Sequence, residues 1–375
     1  MKSRIYLSLA HMGGSEQIFI QEAFDTNWVV PLGPNVCAFE TSLMDYLGEG
    51  RHVVALSSGT AAIHLSLIQL GVQAGDEVIC QSFTFAASAN PIAYVGAKPV
   101  FVDSEADTWN MDPTLLEEAI QDRLRKTGKL PKAIIVVHLY GMPAKMEEIG
   151  KVAEKYEIPI VEDAAEALGS TLNGQKCGTF GEFGILSFNG NKIITTSGGG
   201  ALVCKTEEQA KRTMFFATQA RDKAVHYQHS HIGYNYRMSN ICAGIGRGQM
   251  FVLDQRVARR REIHQLYLNQ LQVMPGITVM QSPDTKYNSN NWLTCILVDK
   301  ELAGKSREDI RLDMEAHNIE TRPLWKPMHL QPVFADATAY INGTSEHLFD
   351  IGLCLPSGSI LTDNDIQQVI EVICG

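Results

Sequence analysis

One lysine stands out in the stretch GILSFNGNKIITTSGGGALV, residues 184–203. Lys192 follows an apolar, strand-like run at 185–188 and a turn of Asn and Gly, and it precedes three consecutive glycines at 198–200. An amine at the edge of an apolar pocket can act as a nucleophile and form a Schiff base with a carbonyl compound. Glycines beside it let the backbone approach a flat ligand closely.

Three further features offer chemistry that such a ligand would need. Ser57, Ser58, Gly59 and Thr60 stand where a strand-like run turns into an apolar helix. Free N–H groups and the helix dipole attract an anion there, although the same residues also suit an ordinary N-cap. Asp163, in IVEDAAEALGS, ends a buried-looking strand, the place where an open parallel sheet holds its ligand. A carboxylate at that point either keeps a ring nitrogen protonated, making the ring an electron sink, or caps a helix. Phe85, in CQSFTFAASANPI, sits among small residues and suits either stacking on a flat ring or core packing.

The elements that must position these residues read clearly. Short apolar runs at 53–56, 77–80, 99–102, 133–138, 158–162, 185–188 and 201–204 predict strands. Helical periodicity lies between several of them, as at 112–125 and 145–156. Continuous apolar strands alternating with helices predict an α/β fold with a central, mainly parallel sheet covered on both faces. Near residue 250 the rhythm changes. A long charged helix at about 251–272 leads to strands at 277–280 and 292–298 and helices at 306–317 and 363–373. The expected organisation is a large domain over 1–250 and a smaller α+β domain over 251–375. Neither a GxxxxGK[ST] loop nor a strand ahead of the glycines at 244, 246 and 248 is present, so nucleotide-binding loops of those kinds are not expected.

Composition narrows the function. The chain has 375 residues, 45% hydrophobic and 20% charged, as a soluble globular protein does. Its net charge of −10, from 32 basic and 42 acidic residues, argues against nucleic acid as the main partner. No stretch reaches the ~18–20 apolar residues of a membrane span, and no signal peptide is evident at the N-terminus. Eight cysteines are scattered without a CxxC pair, which suits reduced thiols and a cytoplasmic protein. His226, His229 and His231 have metal-like spacing but no acidic or thiol neighbours, so no metal site is expected.

In their order along the chain, the anion turn, Phe85, Asp163, Lys192 and the segment GYNYRMSN at 233–240 resemble the fold-type I pyridoxal-phosphate aminotransferases, specifically the DegT/DnrJ/EryC1/StrS family of sugar aminotransferases. The resemblance runs from IYLSLAHMGGSE to LPSGSILTDNDI, nearly the whole chain. It implies that Lys192 is the Schiff-base lysine and proton shuttle, that Asp163 pairs with the cofactor's ring nitrogen, and that Phe85 covers one ring face. It further implies that the turn of Ser58, Gly59 and Thr60, with Ser187, holds the phosphate. Asn235 would reach the cofactor phosphate of a neighbouring subunit, making the active unit a homodimer. Three residues past the aspartate many members carry His or Gln, whereas this chain has Glu166, a carboxylate able to meet the cofactor's phenolic oxygen or the substrate.

Members without the lysine dehydrate sugars, so Lys192 implies transamination. IETRPLWKPMHLQPVF, residues 319–334, and NNWLTC, residues 290–295, resemble the bacillosamine- and perosamine-type branch, which aminates C4 of nucleotide-linked 4-keto-6-deoxyhexoses. The implied reaction moves the amino group of glutamate onto a UDP-linked 2-acetamido-2,6-dideoxy-4-ketohexose for cell-surface polysaccharide. A GDP- or dTDP-linked sugar is the alternative, and a non-enzymatic cofactor-binding regulator a distant third. Arg322, Lys326 and His329 are candidates to meet the pyrophosphate or sugar.

Overall fold

The computed structural model describes residues 4–48 and 50–375. Its large sheet has eight strands: β1 (His52–Leu56), β2 (Glu77–Gln81), β3 (Lys98–Val102), β4 (Ala133–Val137), β5 (Ile160–Asp163), β6 (Phe183–Ser187), β7 (Gly200–Cys204) and β8 (Thr338–Tyr340). Their order is β1-β7-β6-β5-β4-β2-β3-β8. The strands from β6 to β8 in that order pair in parallel. β7 runs antiparallel to both β6 and β1.

The apolar strands face helices on both sides. Ile79, Val100, Ile134 and Val136 pack with Leu116, Ile120 and Ile149 from the helices Pro113–Thr127 and Met146–Lys155. Val78, Cys80, Ile135 and Val161 point the other way, toward Ile63, Leu65 and Ile92 of the helices Gly59–Gln69 and Ala86–Tyr94. Alternation with period two therefore fills two cores at once, which is why β4 (AIIVV) is buried at every position. Local signals set the helix ends. Asp112 accepts the N–H groups of Thr114 and Leu115 at 2.8 and 3.3 Å, and Gly128 stops the same helix at φ 71°.

A second, antiparallel sheet joins Ile277–Val279, Thr294–Val298, Gly352–Leu355 and Arg322–Pro323. Leu253–Leu271, Arg307–Ala316 and Asp363–Cys374 cover it with Ile263, Tyr267, Ile310, Met314, Val369 and Ile370. Two segments cross the boundary expected at residue 250. Ile5 bridges to Ile319 and joins the small sheet's core. In the other direction, β8 comes from the C-terminal third and extends the large sheet through Thr338↔Val100. Three residues, Thr-Ala-Tyr, carry too little periodicity to announce that strand, and pairing with β3 creates it. Among the described residues no helix is long and apolar enough to cross a membrane.

Candidate active site

A cavity of about 260 Å³ opens among the loops that follow β1, β2, β5 and β6, with Trp292 and Trp325 contributed by the segments around the small sheet. The first wall is the turn after β1. Ser58 is extended (φ −167°, ψ 161°) and accepts the Ala61 N–H at 3.0 Å, so it caps the helix Gly59–Gln69. Gly59 and Thr60 start that helix, and N–H groups in a first turn have no carbonyl one turn back to bond. The capping reading of this turn therefore holds, and the turn presents the N–H groups that the anion reading needs. Its position depends on Gly200, which pairs with Leu56 on one side and Ser187 on the other. A Cβ at Gly200 would lie 2.7 Å from the Ser58 carbonyl oxygen and nearer still to Gly59 N. Only glycine lets the turn sit this close to the sheet, and the same register puts Ser187 beside Gly59, whose own Cβ would meet Ser187 Cβ at 3.4 Å.

The acidic residue is the last of β5. Asp163, 6% exposed, is held between Val137 and Ile185 by the parallel ladder. One of its oxygens, Oδ2, accepts the Ser88 hydroxyl at 2.7 Å, and Oδ1 accepts the Ala165 N–H at 3.1 Å. No helix begins there, so Asp163 is not a helix cap. Phe85 precedes the helix Ala86–Tyr94 and lines the cavity with the residue 59% exposed, which removes the core-packing reading. The Trp325 ring stands 5.4 Å from it.

Lys192 reaches Glu166, with Nζ 3.1 Å from Oε1, and lies 4.2 Å from the centre of the Trp292 ring. Glu166 is buried, and burial pushes its carboxyl above the usual carboxylate range against the opposing pull of Lys192. Its other oxygen accepts the Tyr140 N–H at 2.8 Å. Tyr140 takes the left-handed conformation (φ 55°, ψ 16°) that presents this N–H, an arrangement that costs a non-glycine residue on the order of 1 kcal/mol or more. Its hydroxyl accepts the Trp325 N–H at 2.9 Å, tying the C-terminal segment to the cavity.

Ser58, Gly59, Thr60, Phe85, Asp163, Glu166, Ser187 and Lys192 thus line one cavity. The remaining expected residues do not. Asn235 is exposed and bridges Thr218, away from this chain's own cavity. Arg322 is 68% exposed and paired with Glu320 at 2.9 Å. His329 is spent on structure, with Nδ1 2.6 Å from Ser82 Oγ and Nε2 3.1 Å from Glu346. Lys326 is exposed. The segment 319–334 contributes Trp325 to the cavity instead of these three cations, because its charged residues find partners or solvent outside. Sequence reasoning passed over Ser88, Tyr140, Trp292 and Trp325. The last two lie inside the motifs NNWLTC and RPLWKPMH, where their bulk was the available signal.

The histidines at 226–231 make other contacts. His229 Nδ1 lies 2.8 Å from the Gln219 carbonyl, and His231 packs on Phe215 and Phe216. The buried group His138, Glu162 and Cys177 has its ligand atoms close together. His138 Nδ1 accepts the Ala144 N–H at 2.9 Å and Nε2 meets Glu162 at 2.7 Å, so hydrogen bonds tie this group together here.

The sequence pattern of the DegT/DnrJ/EryC1/StrS aminotransferase family matches residues 11–374. EpsN of Bacillus subtilis, whose name describes a pyridoxal phosphate-dependent aminotransferase, is 52% identical over 377 residues, spanning 100% of this chain and 96% of EpsN. The GDP-perosamine synthase of Caulobacter vibrioides is 35% identical over 370 residues, spanning 99% of this chain and 97% of that protein. Among solved structures, the pyridoxal phosphate form of Spr1654 from Streptococcus pneumoniae, designated a sugar aminotransferase, matches with a TM-score of 0.90 at 28% identity, covering 99% of this chain and 97% of that one. With the match running through both sheets and every wall of the cavity, the chain belongs to the DegT/DnrJ/EryC1/StrS aminotransferase family and is a pyridoxal phosphate-dependent sugar aminotransferase.

Proposed function

We propose that this enzyme transfers the amino group of glutamate to C4 of a nucleotide-linked 4-keto-6-deoxyhexose, with a UDP-linked 2-acetamido-2,6-dideoxy-4-ketohexose as its substrate in polysaccharide biosynthesis. The observation that carries the reading is Lys192 facing into the same cavity as Asp163 and the N-terminus of the helix Gly59–Gln69. These walls fit the cofactor: a helix N-terminus suits its phosphate, an uncovered phenyl ring suits its flat face, and a buried carboxylate suits a protonated ring nitrogen. When bound, pyridoxal phosphate supplies an electron sink for moving an amino group and a proton.

The chain's own residues do the rest. Ser58, Gly59, Thr60 and Ser187 hold the phosphate, Phe85 covers one face, and Asp163 keeps its charge toward the ring nitrogen. Lys192 would supply the amine for the cofactor and would be placed to carry the proton. Glu166 receives Lys192 whenever that amine is free, a reading the 3.1 Å pair supports. Asn235, exposed on this chain, serves the site of a second copy, so the working unit is a homodimer. Of the expected cations, Lys326 has no ion pair among the described residues and directly follows Trp325. It is the one we assign to the substrate pyrophosphate. All eight cysteines are free thiols, in keeping with a reducing, cytoplasmic setting.

A GDP-linked substrate is the second reading, favoured by the 35% identity to a GDP-perosamine synthase. A glutamate-coupled assay over UDP-, GDP- and dTDP-linked 4-keto-6-deoxyhexoses separates the two. The UDP sugar should be used with the highest kcat/KM. Faster turnover of the GDP sugar would reverse the assignment, and no turnover of any would overturn the C4 reading.

A further inference from the structure

Asp163 is the end point of a hydroxyl chain. Thr84 Oγ1 and Ser88 Oγ lie 2.8 Å apart, and Ser88 Oγ lies 2.7 Å from Asp163 Oδ2. All three residues are buried: Thr84 and Ser88 are each 1% exposed and Asp163 6%. Counting protons fixes the direction. An ionised carboxylate only accepts, and a serine hydroxyl has one proton to give. Ser88 gives it to Asp163, so Thr84 must donate to Ser88. Both dipoles then point at the carboxylate, and each bond strengthens the next. The Ala165 N–H holds the other oxygen at 3.1 Å, so the carboxylate is gripped at both ends.

These hydroxyls belong to the turn that carries Phe85. Thr84 precedes it, and Ser88 lies in the first turn of the helix it opens, with its N–H bonded to the Phe85 carbonyl at 3.1 Å. The ring and the carboxylate are therefore fixed to one rigid piece of backbone, although they come from different strands.

We propose that Thr84 and Ser88 are positioning residues that hold the Asp163 carboxylate in a single orientation toward the cavity and couple it to Phe85, so that the site selects a ligand with a protonated ring nitrogen. The proposal rests on the role assigned to Asp163 above.

The test compares two probes on cofactor-free protein: pyridoxal phosphate and its analogue with CH in place of the ring nitrogen. Dissociation constants come from quenching of tryptophan fluorescence, since Trp292 and Trp325 line the cavity. Wild type should prefer pyridoxal phosphate, because the analogue offers the carboxylate nothing to bond. A hydrogen bond to a charged group accounts for roughly 10–100-fold in affinity, so Ser88→Ala should weaken pyridoxal phosphate by about tenfold or more. It should barely affect the analogue. Ser88→Thr keeps the hydroxyl and should keep the preference, and Thr84→Val should lose part of it. A purely structural role would weaken both probes equally, and an unchanged preference in Ser88→Ala together with Thr84→Val overturns the relay. If Ser88→Ala does not fold, Thr84→Val decides alone by the same ratio. Should wild type itself show no preference while borohydride still fixes the cofactor on Lys192, the role of Asp163 falls and the relay with it.

Discussion

Three consecutive glycines, 198–200, allow the packing argument to be tested one position at a time. A Cβ at Gly198 would meet nothing within 4 Å. At Gly199 it would meet the flexible Met238 Cε at 2.6 Å and, closer, Thr196 Oγ1, both of them side-chain atoms. The atoms met at Gly200 are all backbone, with Ser58 O at 2.7 Å and Gly59 N nearer. That strand is also paired on both sides, to Leu56 and Ser187, so it has nowhere to retreat. Gly198→Ala should be neutral, or stabilise by about 0.4–1 kcal/mol through the unfolded chain. Gly199→Ala should cost about 1–3 kcal/mol as side chains shift. Gly200→Ala should cost about 3 kcal/mol or more, because relief requires moving the 58–59 turn. At roughly 1.3 °C per kcal/mol for a chain this long, its melting temperature should drop by about 4 °C. Displacing the turn also moves the proposed phosphate contacts, so Gly200→Ala should bind pyridoxal phosphate at least about tenfold more weakly, the worth of one hydrogen bond to a charged group. Thermal melts of the cofactor-free variants and a cofactor titration of each give both series. Equal melting temperatures for Gly198→Ala and Gly200→Ala would refute the close approach. A destabilised Gly200→Ala with unchanged cofactor affinity would separate the turn from phosphate binding.

Four other outcomes are expected. Asp163→Ala should slow turnover by roughly 10²–10³, from the ~3–5 kcal/mol of an unpaired buried charge; a loss under about tenfold would reduce Asp163 to a turn residue. Lys326→Ala should raise KM for the sugar nucleotide by about tenfold while leaving the glutamate half-reaction intact. Arg322→Ala, already paired with Glu320, should change little, and the reverse ranking would move the pyrophosphate site. Weakly active Lys192→Ala and Asn235→Ala chains, unfolded and refolded together, should regain activity in mixed dimers; no gain with mixed dimers confirmed by mass would keep Asn235 out of the partner's site. Finally, burial raises the Glu166 carboxyl, so its stabilising contribution is full below the unfolded value of ~4.3. That contribution is lost as pH rises through the folded value. Melts of cofactor-free protein should therefore show Glu166→Gln gaining on wild type as pH rises above about 4.3, whereas a gap that narrows or stays flat would mean the pair with Lys192 outweighs burial.

Much of this molecule was legible in the sequence because its determinants are local. The seven N-terminal strands of the large sheet are apolar runs bounded by turns, and the residues that end them, Asp163 and the turn after Leu56, lie at strand ends in the sequence itself. Lys192 was legible for a related reason, as a single cation between a strand and glycines. Helix ends were equally local, since Asp112, Ser306 and Thr362 each cap the helix that immediately follows. What the sequence left open depends on partners far along the chain. His329 had the right chemistry for a pyrophosphate, but the fold spends its ring on Ser82, 247 residues away, and on Glu346; Arg322, by contrast, pairs with a carboxylate only two residues back, Glu320. Thr84 and Ser88 became partners of Asp163 only when β2 and β5 were set on either side of β4. Gly200 became indispensable only when β7 was inserted antiparallel between β1 and β6, since its constraint is another strand's turn. The three residues of β8 had no strand character until β3 offered an edge. Periodicity along the chain fixes the elements and their ends, because it is set by each residue's own backbone and its near neighbours. The occupants of the cavity are set by register between strands, which is a property of the whole sheet.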